Sequence, residues 1–360
     1  MKTLWFYPLT PAILFMLGAL ATTLVPAQAG DSDKAAKIKS YIGLTVTALV
    51  FGNLTSRIIF RLTSSTSDPP IIFSPWGTGD SLSTRMDGMG VAFLFIPVLL
   101  IIASFWPRRA QNYALLLALA GAVGVVFVAA NGISFSYALL AFDALGALYW
   151  LLRKRPDLAL SRLFLAIFTT ASLMLSGLTS TAHTGGALLS FALWLRIVAF
   201  PFVEIGRMGE WANLRMGEFA NGREAWRMAQ IRPFANSPFA NSDFMIWLAL
   251  STAMGVYVAG RFLTAALPAA MQILTIASIL LIAWLAWLGE SKDGGRQTKL
   301  LRMISTQPAL ALLLAPLSAR ATITLALGYT LALGTLWLTP RVGRPNFSER
   351  HWLWVYAAPI

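Results

Sequence analysis

The sequence predicts an all-α integral membrane protein with about eleven transmembrane helices and no soluble domain. Hydrophobic residues make up 57% of the 360 residues, charged residues only 12%, and the mean hydropathy is +0.67. Apolar runs of about 20 residues, the length that crosses a bilayer as a helix, recur along the chain between short polar joints. This composition excludes a soluble enzyme and also a disordered or fibrous chain.

Some residue types are scarce enough to exclude whole classes of site. The chain contains no cysteine, so it forms no disulfide, thiolate metal site or iron–sulfur cluster. Its only histidines are His183 and His351, so we expect no zinc or haem site, and no metal or cofactor at all. The net charge of +13 would suggest nucleic acid for a soluble protein. Basic loops of membrane proteins explain the charge better, so no nucleic-acid partner is expected.

The predicted spans follow from the apolar runs, each bounded by charged or by Gly- and Pro-rich joints. They cover residues 8–26, 42–60, 88–106, 113–130, 133–152, 163–178, 187–202, 244–266, 271–288, a tenth near 300–317, and 321–338. Pro308 and Pro316 interrupt the tenth, which predicts a kinked or partly unwound helix. A transmembrane bundle would then occupy residues 1–340, and residues 341–360 would form an aromatic cytoplasmic tail suited to interfacial anchoring.

The distribution of basic residues predicts the topology. If the spans alternate in direction, about three quarters of the Lys and Arg residues fall on one face, which is the cytoplasmic one. The N-terminus is then outside and the C-terminus in the cytoplasm, as for a multi-pass protein of a bacterial inner membrane. In this scheme Arg57, near the end of the second predicted span, and Arg61 are counted on the outer face, and Arg162 belongs to a cytoplasmic joint.

The first 29 residues also resemble a cleavable signal peptide, because an apolar run ends in Pro26-Ala27-Gln28-Ala29. Cleavage there would leave the joint with Lys34, Lys37 and Lys39 outside, against the charge bias. We therefore expect a retained first helix, with cleavage as the alternative.

Two longer stretches are neither spans nor tight turns. Residues 61–86, on the outer face, are rich in Ser, Thr, Asp and Pro and predict an ordered surface loop without a helix. Residues 207–243, on the cytoplasmic face, place Trp211, Phe219 and Trp226 on about one helical face. This favours an amphipathic insert on the membrane surface or on a partner, with a solvated loop as the alternative.

Two opposite charges lie near the middle of predicted spans, Asp143 in the fifth and Arg196 in the seventh. An ionisable residue at that depth costs about 2.5–3.5 kcal/mol on insertion scales and marks a functional site by default. Pairing would lower the cost of both, and the pair would serve either helix packing or transport. Two further ion-pair or proton-path candidates are Glu204, which is also placed to be interfacial, and Lys299.

Several short motifs fall in the order found in one known family. The stretches concerned are Met86-Asp87-Gly88, Phe142-Asp143 with Tyr149, Arg196 with Pro201-Phe202, Tyr257 with Arg261, and Lys299-Leu300-Leu301 with Ser305. Over residues 80–310 the chain thereby resembles the antiporter-like membrane subunits of respiratory complex I and of Mrp-type cation/proton antiporters. The resemblance implies an antiporter-like bundle, an outside N-terminus, and a strand-like approach to the third span.

The resemblance also shows where this chain departs from the family's proton relay. The family uses Glu in the fifth span, Lys in the seventh, Lys or His in the eighth, and Lys or Glu in a twelfth. Here Asp143, Arg196 and Ala253 stand at the first three stations, and no span follows the eleventh. Arginine does not release its proton, so an Asp–Arg pair is a fixed clasp.

The broken relay implies a structural or assembly subunit, derived from an antiporter-like proton channel. It would belong to a larger energy-transducing complex, such as an NADH–quinone oxidoreductase, and contact other membrane subunits and lipids. No motif with catalytic spacing suggests an enzyme. The alternative is active translocation of protons or another cation through a shortened path at Asp143 and Arg196.

Overall fold

The fold is almost entirely helical. The structure is a computed structural model, and it describes residues 4–25, 32–63, 71–73, 82–104, 113–152, 155–178, 182–202, 242–263, 267–288 and 303–338. The chain forms two compact units, Met1–Ala192 and Leu193–Ile360. The predicted all-α class is confirmed.

The first unit begins with a short 3₁₀ turn, Leu4–Phe6, followed by one helix for each predicted span, with α2 and α6 longer than predicted. They are α1 (Thr10–Leu24), α2 (Ser32–Thr63), α3 (Gly88–Ser104), α4 (Tyr113–Val128), α5 (Gly132–Leu152), α6 (Pro156–Leu178) and the start of α7 (Ala182–Trp194). Helix α1 packs on α4 and α2, and each of α2 to α5 packs on the next helix in the chain.

The second unit holds the end of α7 and the helices that follow. They are a π-helical segment (Leu195–Ala199), α8 (Ser242–Phe262), α9 (Ala269–Leu288), α10 (Thr306–Leu314) and α11 (Ala319–Leu338). Helix α8 packs on the π-helical segment, α10 and α11. The predicted interruption of the tenth span holds at Pro316, which lies in the turn between the end of α10 at Leu314 and α11, but not at Pro308, which lies within α10. Pro308 is tolerated in the first turn of α10, where its missing N–H is not needed.

Three described helical segments are long and apolar enough to cross a bilayer: Lys34–Phe60, Gly132–Leu152 and Pro156–Leu175. Other helices of the described ranges are apolar but shorter, α1 and α4 among them. The apolar runs of the sequence therefore form continuous helices. A polar side chain that is buried among such helices needs a partner within the protein, so it marks a candidate site.

Two predicted joints are corrected by the helix bounds. Helix α2 begins at Ser32 and ends at Thr63, so Lys34, which we predicted in a joint, lies within it, as does Arg61 of the predicted outer loop. Helix α6 begins at Pro156 and contains Arg162. A helix continues through a charge that stays exposed, as at Lys34, and also through one that is buried with partners, as at Arg162.

The predicted outer loop contains a small hairpin within its described part. Strands β1 (Ile71–Phe73) and β2 (Leu82–Thr84) pair antiparallel. Strand β2 is tied to the turn between α4 and α5, since the N–H of Ser83 donates to Ser134 Oγ at 2.8 Å and its carbonyl accepts from Ala130 N–H at 2.9 Å. Two strands this short are not stable alone, and here β2 is held by hydrogen bonds to the α4–α5 region.

Small residues allow α1 to approach α4 closely. A Cβ at Gly121 would lie 2.8 Å from Met16 Cγ and 3.1 Å from the Ala12 carbonyl oxygen. A Cβ at Gly124 would lie 3.2 Å from Ala12 Cβ. Glycines at this spacing let helix backbones pack without side chains between them. The predicted insert, apart from its last residues in α8, and the predicted tail lie outside the described residues.

Candidate functional site

Asp143 is fully buried in the middle of α5. It is the sole charged residue in the sequence of that helix. Its buried neighbours on α5 are Phe142, Gly146 and Ala147, whereas Leu145 and Leu148 face outward and are exposed. The carboxyl group therefore lies on the side of α5 opposite the exposed Leu145 and Leu148. A buried carboxylate of this kind requires a compensating partner.

Arg196 is fully buried within the π-helical segment Leu195–Ala199. The N–H of Phe200 donates to the carbonyl of Leu195, five residues earlier, as a π-helix requires. One wide turn changes the direction in which following side chains point and separates α7 from Pro201. Such π-turns occur frequently at functional sites. The sequence shows Arg196 but not the wide turn that carries it.

Gly255 on α8 provides the space beside Arg196. A Cβ at Gly255 would lie 2.7 Å from Ile197 Cγ1 and 3.5 Å from Arg196 Cδ. The aliphatic part of the arginine therefore runs along the backbone of α8. Thr252, about one turn earlier on α8, and Ala253 are also buried. Ala253 lies where the resemblance implies a lysine or histidine, and its methyl group cannot accept or donate a proton.

The structure places the four predicted site residues unequally. Asp143 belongs to the first unit and Arg196 to the second, so their pairing stays a prediction. Glu204 and Lys299 lie outside the described residues. Asp143 and Arg196 are each fully buried within their own helix-rich unit.

A buried cation that sequence reasoning missed is Arg57 on α2, only 2% exposed. Its Nη2 donates to the carbonyl oxygens of Trp5 at 3.1 Å and Tyr7 at 2.6 Å, and its Nε donates to Asn53 Oδ1 at 2.9 Å. Its guanidinium carbon lies 5.7 Å from the centroid of the Phe6 ring, within cation–π range. The spacing of Asn53 and Arg57, one helical turn in an otherwise apolar stretch, was the available sequence signal.

A second missed cation is Arg162 on α6, which is also only 2% exposed. Thr169, two helical turns further on the same face, is fully buried and its hydroxyl has no hydrogen-bond partner within the described chain. This polar pair in an apolar helix was the available sequence signal. Arg155, in contrast, lies at the turn before α6 and forms a 2.9 Å ion pair with the partly exposed Asp157.

Comparison with known proteins leaves the function to be argued from these residues. No protein-family model matches the chain, and no curated protein matches it. Among the described residues, no group of three or more His, Asp or Glu side chains is placed to hold a metal ion. The first unit thus holds a buried carboxylate and the second a buried guanidinium, each in an apolar helix, where a charged group can hold helices together or take part in ion transport.

Proposed function

We propose that the protein is a multi-pass membrane protein that acts as a structural or assembly subunit of a larger energy-transducing membrane complex, derived from an antiporter-like proton-channel subunit. Its N-terminus would lie outside and its C-terminus in the cytoplasm of a bacterial inner membrane. The observation that carries the proposal is the chemistry of the buried residues: Asp143 and Arg196 are fully buried, at the positions where the resemblance implies a titrating pair.

Arginine at the second station supports a structural role. Its guanidinium stays protonated even when it is buried, whereas a desolvated lysine gives up its proton readily. Arg196 can therefore orient and neutralise a carboxylate but cannot pass a proton onward. Ala253 on α8 supplies no acceptor at the following station. A chain built this way holds helices together more readily than it moves ions.

The outer faces of the first unit support a membrane environment shared with lipids or partner subunits. Large apolar side chains are exposed along α2, α5 and α6, on the sides opposite their buried faces, among them Tyr41, Phe51, Ile59, Leu145, Leu148, Leu160, Phe164 and Ile167. A soluble monomer rarely exposes this much contiguous apolar surface to water. Lipid chains or neighbouring transmembrane helices would cover it.

Purification of the tagged protein from its native membrane in mild detergent tests the proposal. We expect it to co-purify at fixed stoichiometry with other membrane subunits of an energy-transducing complex. Deletion of the protein should lower the amount of assembled complex while the remaining subunits are still synthesised. A monodisperse protein without partners, and an unchanged complex after deletion, would contradict the proposal.

Translocation of protons or another cation is the second candidate, and the π-turn at Arg196 favours it, since such turns recur at functional sites. Its test is Asp143→Asn, which keeps the shape of the side chain and removes the titratable group. Proton flux of the assembled complex is measured in proteoliposomes. We expect unchanged flux, because no following station accepts the proton. Loss of flux in an assembled complex would replace the structural role by transport.

A further inference from the structure

Helices α5 and α6 form a hairpin with a buried interface between them. Among the described elements, α6 packs mainly against α5. The buried positions of α6 form one stripe that includes Leu158, Leu165 and Thr169, and the opposite side is exposed at Leu160 and Ile167. The buried stripe of α6 therefore faces α5, and the side chains of that stripe lie against α5.

Arg162 lies at the centre of this stripe. It is buried together with Leu165 and Ala166, which follow it by about one turn on the same face. A guanidinium in that position cannot reach water over the exposed side of α6 without leaving the packed interface. It has to be neutralised by acceptors within the protein, because an arginine does not become neutral by losing its proton.

Few carboxylates are available to neutralise Arg162 within the hairpin. The sequence from Gly132 to Leu178 contains two acidic residues, Asp143 and Asp157. Asp157 already accepts from Arg155, with Nε and Nη2 at 3.1 and 2.9 Å from its two carboxylate oxygens. Asp143 is the remaining carboxylate, and it is on the buried side of α5.

The register of the hairpin brings the two residues to similar depth. The helices are antiparallel and joined by a connection of a few residues, between Leu152 and Pro156. Asp143 precedes the middle of this connection by about 11 residues and Arg162 follows it by about 8, so their levels differ by about 4.5 Å along the helix axis. Packed helices lie about 8–10 Å apart, a gap that a long arginine side chain spans.

Buried hydroxyl groups extend the polar character of the same interface. Ser136 precedes Asp143 by two turns on α5, and Thr169 follows Arg162 by two turns on α6. Both side chains are fully buried, and neither hydroxyl has a hydrogen-bond partner within the described chain. The charges thus lie at one end of a polar strip inside an otherwise apolar hairpin.

We propose that Arg162 is a counter-ion of Asp143 and that the two form a buried ion pair inside the α5–α6 hairpin. The pair neutralises Asp143 from within unit 1, so α5 and α6 can be inserted and packed as one electrically balanced hairpin. A carboxylate accepts several hydrogen bonds, so Asp143 retains capacity for a second arginine. Arg162 is a positioning residue here: it acts by holding the carboxylate of Asp143.

A double-mutant cycle on the purified full-length protein in detergent tests the pair. The variants are Asp143→Asn, Arg162→Met and the two combined, and the readout is the unfolding equilibrium. We expect each single change to lower the unfolding midpoint, and the double variant to lose less than the sum, with a coupling of roughly tenfold or more in the equilibrium constant. The same cycle on Arg155→Met and Asp157→Asn is the control, because that pair is partly exposed and should couple weakly.

Charge exchange keeps the test decisive if a single variant does not fold. The exchanged protein, Asp143→Arg with Arg162→Asp, should recover folded protein in the membrane relative to either single reversal. Additive losses in the cycle, or no recovery on exchange, would overturn the proposed pair. Both readouts use the isolated protein, so they are independent of whether it co-purifies with a larger complex.

Discussion

Arg57 Nη2 lies 2.6 Å from the carbonyl oxygen of Tyr7, which joins the second helix to the first residues of the chain. The same nitrogen reaches the carbonyl of Trp5, and Asn53 Nδ2 donates to that carbonyl at 2.6 Å. Trp5 Nε1 in turn donates to Ser56 Oγ at 3.0 Å. One face of α2 thereby caps the 3₁₀ turn that precedes α1.

Replacement of this arginine should weaken the first unit. Arg57→Met keeps the aliphatic stem but leaves two carbonyl oxygens with fewer donors, at a cost of about 1–3 kcal/mol for each group left unsatisfied. The midpoint of thermal unfolding in detergent should fall. Lys37→Met, on an exposed position of the same helix, is the matched control and should have little effect. Equal midpoints for the two variants would show that the cap contributes nothing.

Gly255 should not tolerate a side chain. Gly255→Leu places carbon atoms where Ile197 and Arg196 already lie, and we expect a loss of about 1–3 kcal/mol of folding free energy from overpacking. Gly52→Ala on α2 is the control, since nothing lies within 4 Å of its added Cβ. That change should stabilise the helix by up to about 1 kcal/mol. A Gly255→Leu protein as stable as the natural one would mean that α8 does not approach the π-turn.

The predicted topology is testable at the C-terminus. The bias of basic residues places Ile360 in the cytoplasm, because Lys and Arg are retained on that side of the membrane. A cysteine or protease tag fused after Ile360 should be inaccessible in intact cells and become accessible once the inner membrane is opened. Labelling of intact cells from the outside would reverse the assignment of both termini.

The predicted clasp between Asp143 and Arg196 has its own test. If their charged groups lie within about 4 Å, Arg196→Leu removes one partner of a buried carboxylate and should cost about 3–5 kcal/mol, seen as impaired assembly. The combined replacement of both residues by leucine should cost less than the sum of the two single replacements, because each single change leaves the other residue's charge without this partner. Additive losses would exclude the clasp.

The sequence determined the helical architecture of this protein. Long apolar runs leave the backbone no partner except itself, so helices form wherever such runs occur, and the predicted bounds of α4 and α5 agree with the structure within two residues. The absence of cysteine from the sequence also excludes disulfides and thiolate metal sites. The depth of Asp143 and Arg196 followed from their position within apolar runs, and both are fully buried.

Only the tertiary structure decided which other charges are inside. Arg162 bounded an apolar run and was assigned to a joint, and Arg57 was counted with the outer face, because hydropathy scores a charged residue without regard to the partners that its side chain finds. Arg57 is buried because carbonyl oxygens of Trp5 and Tyr7, about 50 residues away in the chain, accept from it. The wide turn at Arg196 and the close approach of Gly255 also depend on packing between helices, and packing between distant segments is a property that local sequence patterns do not encode.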